Sequence, residues 1–212
     1  MKGKRKQDVA DTKEAILAAA DQVMREEGYA AVSSRRVAER AGSKSMSIHY
    51  HFGSMDDLFL ALYRRSEAKY FTRLMRALSS DSPLRDLWEL GQDPADTGLV
   101  VEYLALANHR NSVRDEVARS GERVREIATA IVANSVKDIT FEMGPVSPAI
   151  VYFIIEALCR TLVSDRALGI SSSHDEVVEF VERLLIQVEA AHRQGAGKRA
   201  QKSASQSGAR SD

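Results

Sequence analysis

The chain has 212 residues, of which 44% are hydrophobic, a composition typical of a soluble protein with room for one domain or two. It contains 30 lysine and arginine residues and 30 aspartate and glutamate residues, so its total charge does not indicate nucleic-acid binding. The single cysteine, Cys159, excludes an intramolecular disulfide, and no cluster of cysteine and histidine has the spacing of a zinc site. We therefore expect a cytoplasmic protein with no metal and no cofactor.

The charge is distributed unevenly along the chain. Residues 1–53 contain ten basic and seven acidic side chains, residues 54–192 contain 15 and 22, and residues 193–212 contain five and one. A surplus of cations near the beginning is the pattern that a DNA-binding head needs. The first residues lack the apolar run of a secretory signal, and two charged residues interrupt the longest apolar run, 150–163. We therefore expect no signal peptide and no membrane span.

Almost every segment has the periodicity of an α-helix and none has that of a convincing strand, which predicts an all-α protein. The first helix is expected to begin at Asp11, which stands three residues before Glu14 as in a capping box. Residues 1–10, with four basic side chains, precede this helix and are expected to be flexible. They are either an arm that lies along a DNA duplex or a solubilising terminus.

Residues 33–58 are the most informative part of the chain, because they predict two short helices joined by a glycine turn and followed directly by a third helix. Ser33 can cap the first of these helices, and Gly42 ends it. The second is expected over residues 44–52, anchored by Ile48 and by the phenylalanine four residues later. The outer face of that helix is rich in hydrogen-bond donors and has no carboxylate, so it suits phosphates and base edges.

Three segments together resemble the TetR family of bacterial one-component transcriptional regulators. They are the opening helix DTKEAILAAADQVMREEGY, the helix SSRRVAERAG and the segment SIHYHFGSMDDLF, and they cover residues 11–59. The resemblance implies a three-helix DNA-binding head over residues 11–53 and a helical effector-binding and dimerisation domain over residues 54–192. It also implies a DNA-contacting surface, which we expect to consist of Ser33, Ser34, Arg35, Lys44, Ser45, Met46, Ser47, His49, Tyr50 and His51.

Four positions depart from the family pattern. Ser43, Met46, His49 and Met55 stand where family members commonly have Val, Gly, Tyr and Lys. The usual Tyr and Lys contact phosphate in the family. His49 can still donate a hydrogen bond to a phosphate, whereas Met55 cannot.

Six further helices are predicted after the head. Hydrophobic periodicity, with start and stop signals, predicts them over about residues 54–79, from 83, over 99–109, from 112, over 148–166 and over 174–192. The segment QDPADTG, residues 92–98, is expected to be a loop. Residues 193–212 are rich in Gly, Ser, Ala and Lys without periodicity, and we expect them to be disordered.

The helix predicted over residues 148–166 is apolar on nearly all sides, so two of its faces must be covered. One face would pack on its own domain and the other on a partner subunit. The family resemblance implies the same arrangement, with the last two helices of each protomer forming a four-helix interface. The residues expected in this interface are Ile154, Leu158, Val177, Val181, Leu184 and Val188.

Polar-tipped aromatic side chains are scattered through the otherwise aliphatic middle of the chain, as they are in the walls of ligand pockets. Ordinary core packing explains most of them equally well. The family resemblance implies an effector cavity among these helices, and its candidate residues are Trp88, Tyr103 and Tyr152.

These features predict a homodimeric one-component transcriptional regulator, acting as a repressor, that binds a palindromic operator in double-stranded DNA and is released by a small-molecule effector. The alternative is a DNA-binding regulator or architectural protein of the same fold that has no effector. An enzyme is not expected, because the chain lacks Gly-x-Ser-x-Gly, Walker-type and His-Glu-x-x-His motifs and has no triad built around Cys159.

Overall fold

The structure is a computed structural model that describes the backbone of residues 2–137 and 144–208 and the side chains of residues 9–137 and 144–191. Within these residues it contains nine α-helices, one short 3-10 helix and no strand, so the predicted all-α fold class is confirmed. The helices are α1 Lys2–Glu27, the 3-10 helix Tyr29–Ala31, α2 Ser34–Arg40, α3 Ser45–Phe52, α4 Met55–Leu78, α5 Pro83–Gln92, α6 Pro94–Ala107, α7 Asn111–Val136, α8 Pro148–Ala167 and α9 His174–Gly208.

The helices form two compact units. The first unit consists of the chain up to residue 72 together with residues 93–124, and the second consists of residues 73–92 together with the chain from residue 125 onward. The predicted boundary after residue 53 marks the end of the DNA-binding motif. Packing instead groups this motif with most of α4, all of α6 and the first half of α7.

The core of the first unit holds the three head helices together. α1 contributes Ile16 and Val23, α2 contributes Val37 and α3 contributes Ile48, each with no accessible surface. Burial of one such aliphatic side chain stabilises a fold by about 1.5–3 kcal/mol, so this small cluster fixes the helix-turn-helix on α1. Tyr103 of α6 is buried in the same core.

Two helices of the first unit begin earlier than predicted. α1 begins at Lys2 instead of Asp11, because no proline interrupts the residues before Asp11 and most of them tolerate a helix. α6 begins at Pro94, inside the segment expected to be a loop. The Asp93 carboxylate caps it by accepting a hydrogen bond from the N–H of Ala95 at 2.9 Å, and a proline at the first helical position loses no hydrogen bond there.

The side chains of the basic arm, Lys2, Lys4, Arg5 and Lys6, lie outside the described side chains. At the other end of the chain, the backbone of α9 is helical as far as Gly208, where we expected disorder from residue 193. Alanine, glutamine, lysine and arginine dominate much of this segment, and all four favour a helix. Residues 209–212 lie outside the described part of the chain.

The second unit is built on close packing of α5 against α8. Trp88 and Cys159 are both buried there, and the Cys159 thiol lies 3.8 Å from the carbonyl oxygen of Trp88. A Cβ atom on Gly91 would come within 2.7 Å of the Cys159 sulfur, so only glycine fits at this point of α5. Arg85 of α5 also forms ion pairs with Glu182 and Glu189 of α9.

Every helix in the described part of the chain is too short or too polar to cross a membrane.

Candidate nucleic-acid interface

The turn between α2 and α3 is fixed by local interactions. The hydroxyl of Ser33 caps α2 by accepting a hydrogen bond from the N–H of Arg36 at 3.3 Å, as predicted. Gly42 then adopts φ 61°, a left-handed conformation that glycine enters without steric cost. The N–H of Ser43 donates to the carbonyl oxygen of Ala38 at 2.9 Å, which closes the turn and sets the direction of α3.

The outer face of α3 projects away from the core. Ile48 is fully buried, whereas Lys44, Ser45, Met46, His49 and Tyr50 are exposed. Ser47 and His51 are only half-buried, so Ser47 is less free than the sequence suggested. No aspartate or glutamate occurs between residues 41 and 55, which leaves this face without a negative charge to repel phosphate.

One hydrogen bond and one ring contact orient the aromatic side chains at the end of α3. The ring Nδ1–H of His49 donates to the carbonyl oxygen of Gly53 at 3.2 Å. This bond occupies Nδ1, so a contact of His49 with a phosphate would have to be made by Nε2, which donates a hydrogen bond only in the imidazolium form. The rings of Tyr50 and His51 meet edge to face at 5.1 Å, and Tyr50 remains 75% exposed.

The arginines of α2 divide into one free and two paired side chains. Arg35 is exposed and has no ion-pair partner among the described residues. Arg36 binds Glu27 at 2.8 Å, and Arg40 binds both Glu26 and Glu27. These hydrogen bonds lower the pKa of the Glu27 carboxyl, chiefly through Arg36, and raise the pKa of Arg36. Arg35 is therefore the α2 arginine available to a phosphate, while the other two hold α2 on α1.

The carboxylates that follow α3 are also occupied. The hydroxyl of Ser54 accepts a hydrogen bond from the N–H of Asp57 at 3.1 Å and donates to the Asp57 carboxylate at 2.6 Å, which caps α4. Asp56 forms an ion pair with Arg110 and accepts a hydrogen bond from the hydroxyl of Ser112 at 2.8 Å. Asp56 is thereby paired with a cation, and the Asp57 carboxylate is hydrogen-bonded at the start of α4.

The two helices that carry the predicted DNA-contacting residues, α2 and α3, pack on one core through other side chains. Ser33 is exposed but its hydroxyl is used as a helix cap, and Ser34 is half-buried. Sequence reasoning did not identify Glu102, whose carboxylate accepts a hydrogen bond from the backbone N–H of Tyr29 just before the head's second helix. These two residues are 73 positions apart, and no local pattern signals their contact.

The candidate ligand residues fall into different units. Tyr103 belongs to the core of the first unit, where its ring meets Tyr63 edge to face at 4.8 Å. Trp88 and Tyr152 are buried in the second unit, on α5 and α8. The indole N–H of Trp88 has no hydrogen-bond acceptor among the described residues. The buried hydroxyl of Tyr103 likewise has no hydrogen-bond partner in the described part of the chain, so Tyr103 in the first unit and Trp88 and Tyr152 in the second all stay candidates.

The predicted dimer residues differ in exposure. Ile154 and Leu184 expose 51% and 43% of their surfaces, and Leu158, Val177 and Val188 are half-buried. Val181 exposes only 8%, so this residue packs inside its own unit and has little surface to offer a partner. Adjacent residues of an α-helix point about 100° apart, and Phe180, the residue before Val181, is the one that faces outward.

Exposed apolar residues form one stripe on α8 and one on α9, and Ile186 of α9, which is also exposed, lies outside them. On α8 the stripe contains Ile150, Phe153 and Ile154, and on α9 it contains Phe180 and Leu184. Spacings of three and four residues place each set on one face of its helix. Exposed apolar stripes on two consecutive helices are typical of a surface that associates with another molecule.

The head and its exposed face define a helix-turn-helix DNA-binding protein. Residues 16–62 match the family described as bacterial regulatory proteins, tetR family. The chain is 27% identical to the HTH-type transcriptional repressor AcnR of Corynebacterium efficiens, over 81% of this chain and 91% of that protein. The N-terminal domain thus resembles that of the TetR family of bacterial regulatory proteins, and the family match and the relative together support a DNA-binding transcriptional regulator.

Solved structures share the fold. A TetR transcription regulator from Haloarcula marismortui is similar with a TM-score of 0.63 and 17% identity, over 89% of this chain and 96% of that one. A candidate transcriptional regulator from Saccharomonospora viridis in complex with choline has a TM-score of 0.68 and 19% identity, over 87% and 95%. The multidrug binding protein EbrR, complexed with imidazole, has a TM-score of 0.55 and 26% identity, over 83% and 93%.

Proposed function

We propose that the protein is a homodimeric repressor that binds a palindromic operator and leaves it when a small-molecule effector binds. The observation that carries the proposal is the exposed face of α3, where donors and apolar groups project from a buried anchor and no carboxylate is present. A helix of this kind enters the major groove with its N-terminal residues at the base edges. Arg35 and Lys44, which have no ion-pair partner among the described residues, would contact the phosphates on either side.

A dimer is supported by the stripes on α8 and α9. A single eight-residue recognition helix makes few contacts, and two heads related by a two-fold axis double them. Phe153 and Phe180 are exposed by 62% and 55% in the isolated protomer, and covering such rings is favourable by about 25 cal/mol for each Å² removed from water. The partner is therefore a second copy of the chain that covers the same stripes.

Effector release is supported by the second unit and by the relatives. The indole N–H of Trp88 is a buried donor without an acceptor in the described residues, and a ligand oxygen or a water would satisfy it. Two proteins with the same fold were solved in complex with a small molecule, choline in one case and imidazole in the other. We assign the effector site to the second unit, around Trp88 and Tyr152.

The operator test is an unbiased selection of bound duplexes with the purified full-length protein. We expect an inverted repeat whose half-sites are separated by one helical turn, about 34–36 Å, or a small multiple of it. Recovery of duplexes without a shared sequence would contradict a specific repressor. It would favour an architectural DNA-binding protein of the same fold.

The effector test is a thermal-shift screen followed by measurements of operator affinity. A ligand releases the protein only if it binds the DNA-free conformation more tightly, and such coupling is typically about 1–3 kcal/mol. Operator DNA must then weaken ligand binding by the same factor. The Trp88→Phe variant keeps the aromatic ring and removes the donor, so it should bind the ligand less tightly and keep its operator affinity. A stabilising ligand that leaves operator affinity unchanged would instead support the regulator without an effector.

A further inference from the structure

Met46 is the most exposed large apolar side chain among the described residues, with 79% of its surface accessible. Tyr50, four residues later, is 75% exposed. An α-helix has about 3.6 residues per turn, so these two side chains lie on one face of α3, opposite the buried Ile48. The fold does not cover Met46, and its side chain is therefore available to a partner outside the chain.

The chemistry of Met46 limits what that partner can be. A thioether chain has no N–H or O–H donor, so it gains nothing from a phosphate oxygen or from a base nitrogen. In the major groove, the apolar group that a base pair presents is the C5-methyl of thymine. Met46 is the second residue of α3, and the first residues of a recognition helix are those that meet base edges.

The exposed neighbours of Met46 on α3 differ from it in chemistry. Lys44, Ser45 and His49 are exposed and carry donors, which suit phosphates and the acceptor atoms of bases. Met46 stands among these donors as an apolar group on a polar face. A flexible, unbranched methionine can also adjust its chain to follow a methyl group.

We propose that Met46 contacts the C5-methyl group of one thymine in each operator half-site and so favours an A·T pair at that position. This inference rests on the proposed function, because it requires a preferred operator. It adds the identity of the base feature that is read and the residue that reads it. Loss of one methyl contact corresponds to about a fourfold weaker affinity per half-site, and to about fifteenfold when both half-sites are changed.

The experiment replaces each thymine of the selected operator by deoxyuridine, which removes only the C5-methyl and keeps the pairing. Operator affinity is measured for the wild-type protein and for Met46→Ala. One symmetric pair of positions should weaken wild-type binding by about fifteenfold and leave Met46→Ala binding unchanged. In an operator that carries cytosine in place of these thymines, 5-methylcytosine should bind the wild-type protein about fourfold more tightly per half-site than cytosine does.

Leu168→Ala is the matched control, because Leu168 is 76% exposed but lies in the second unit, after α8. It should show the same deoxyuridine effect as the wild-type protein. Equal melting temperatures of Met46→Ala and the wild-type protein would establish that the variant is folded. A Met46→Gln variant, similar in length but polar, should also lose the methyl effect.

The outcomes separate this inference from the proposed function. If the selection yields no preferred sequence, the repressor proposal fails and the inference falls with it. If an operator is found but no deoxyuridine position affects the wild-type protein, only the assignment of Met46 is overturned. The same conclusion follows if one position weakens the wild-type and Met46→Ala proteins equally, since another residue would then read the methyl group.

Discussion

The carboxylate of Glu102 accepts a hydrogen bond from the backbone N–H of Tyr29 at 2.7 Å. Tyr29 begins the 3-10 helix that leads into α2, and Glu102 lies in the middle of α6. Gly28, just before this bond, has φ 82°, and a Cβ atom there would lie 3.4 Å from the same carboxylate. The entrance to the helix-turn-helix is thus attached to α6, within the first unit.

Removal of this carboxylate should destabilise the first unit. Glu102→Ala leaves a part-buried backbone N–H without an acceptor, which typically costs about 1–3 kcal/mol. Glu102→Gln retains an acceptor oxygen and serves as the control, with a smaller loss. Urea unfolding of the full chain measures both free energies, and an alanine variant as stable as the wild-type protein would show that water replaces the carboxylate.

The arginines of α2 should differ in their effects on DNA binding. Arg35→Ala removes a cation that is free to contact phosphate in each protomer. Operator affinity should therefore fall, and the slope of log K against log salt should decrease by about 0.9 for each lost phosphate contact, or about 1.8 for the dimer. Arg36→Ala removes an arginine that is already bound to Glu27, and the slope should stay unchanged. Equal changes of slope in the two variants would mean that Arg36 leaves Glu27 when DNA binds.

The stripe on α9 gives a matched pair of variants for the dimer. Phe180 and Ile186 are equally exposed, at 55% and 57%, but they lie about 120° apart around the helix. Phe180→Asp should place a charge inside the interface and produce monomers with weak operator binding, whereas Ile186→Asp should remain dimeric. Sedimentation velocity at micromolar concentration distinguishes these states. A wild-type chain that sediments as a monomer would contradict the proposed interface.

The sequence was sufficient to predict the head because its signals are local. Ser33, Gly42 and Ile48 act within a few residues of one another, and the structure gives each the predicted role of cap, turn or anchor. The residue directions on α9 were less predictable, since Val181 and Phe180 are both apolar and only packing determines which one faces outward. The pairing of Glu102 with Tyr29 was beyond a sequence argument, because it depends on how distant helices meet.

A buried carboxylate on α7 should make the free energy of unfolding depend on pH in the acidic range. Arg64 donates to Glu116 at 2.9 Å, Arg119 donates to it as well, and these bonds lower the pKa of the Glu116 carboxyl from 4.5 to about 2. A lowered pKa stabilises the folded state fully above the unfolded value, and this stabilisation is lost as the pH falls from 4.5 towards 2. The stability difference between the wild-type protein and Glu116→Gln should therefore shrink across this interval. Urea unfolding at several pH values measures it, and a constant difference would exclude this role.

The thiol of Cys159 should react only when the second unit opens. Burial raises the pKa of this thiol to about 12. The sulfur contacts the carbonyl oxygen of Trp88 and packs closely against Gly91. The thiolate is the reactive form of cysteine. At neutral pH a disulfide reagent should therefore label Cys159 slowly in the folded protein and rapidly in denaturant. Gly91→Ala forces a Cβ atom towards the sulfur, which should lower the melting temperature and raise the labelling rate. Rapid labelling of the native wild-type protein would show instead that α5 and α8 separate readily in solution.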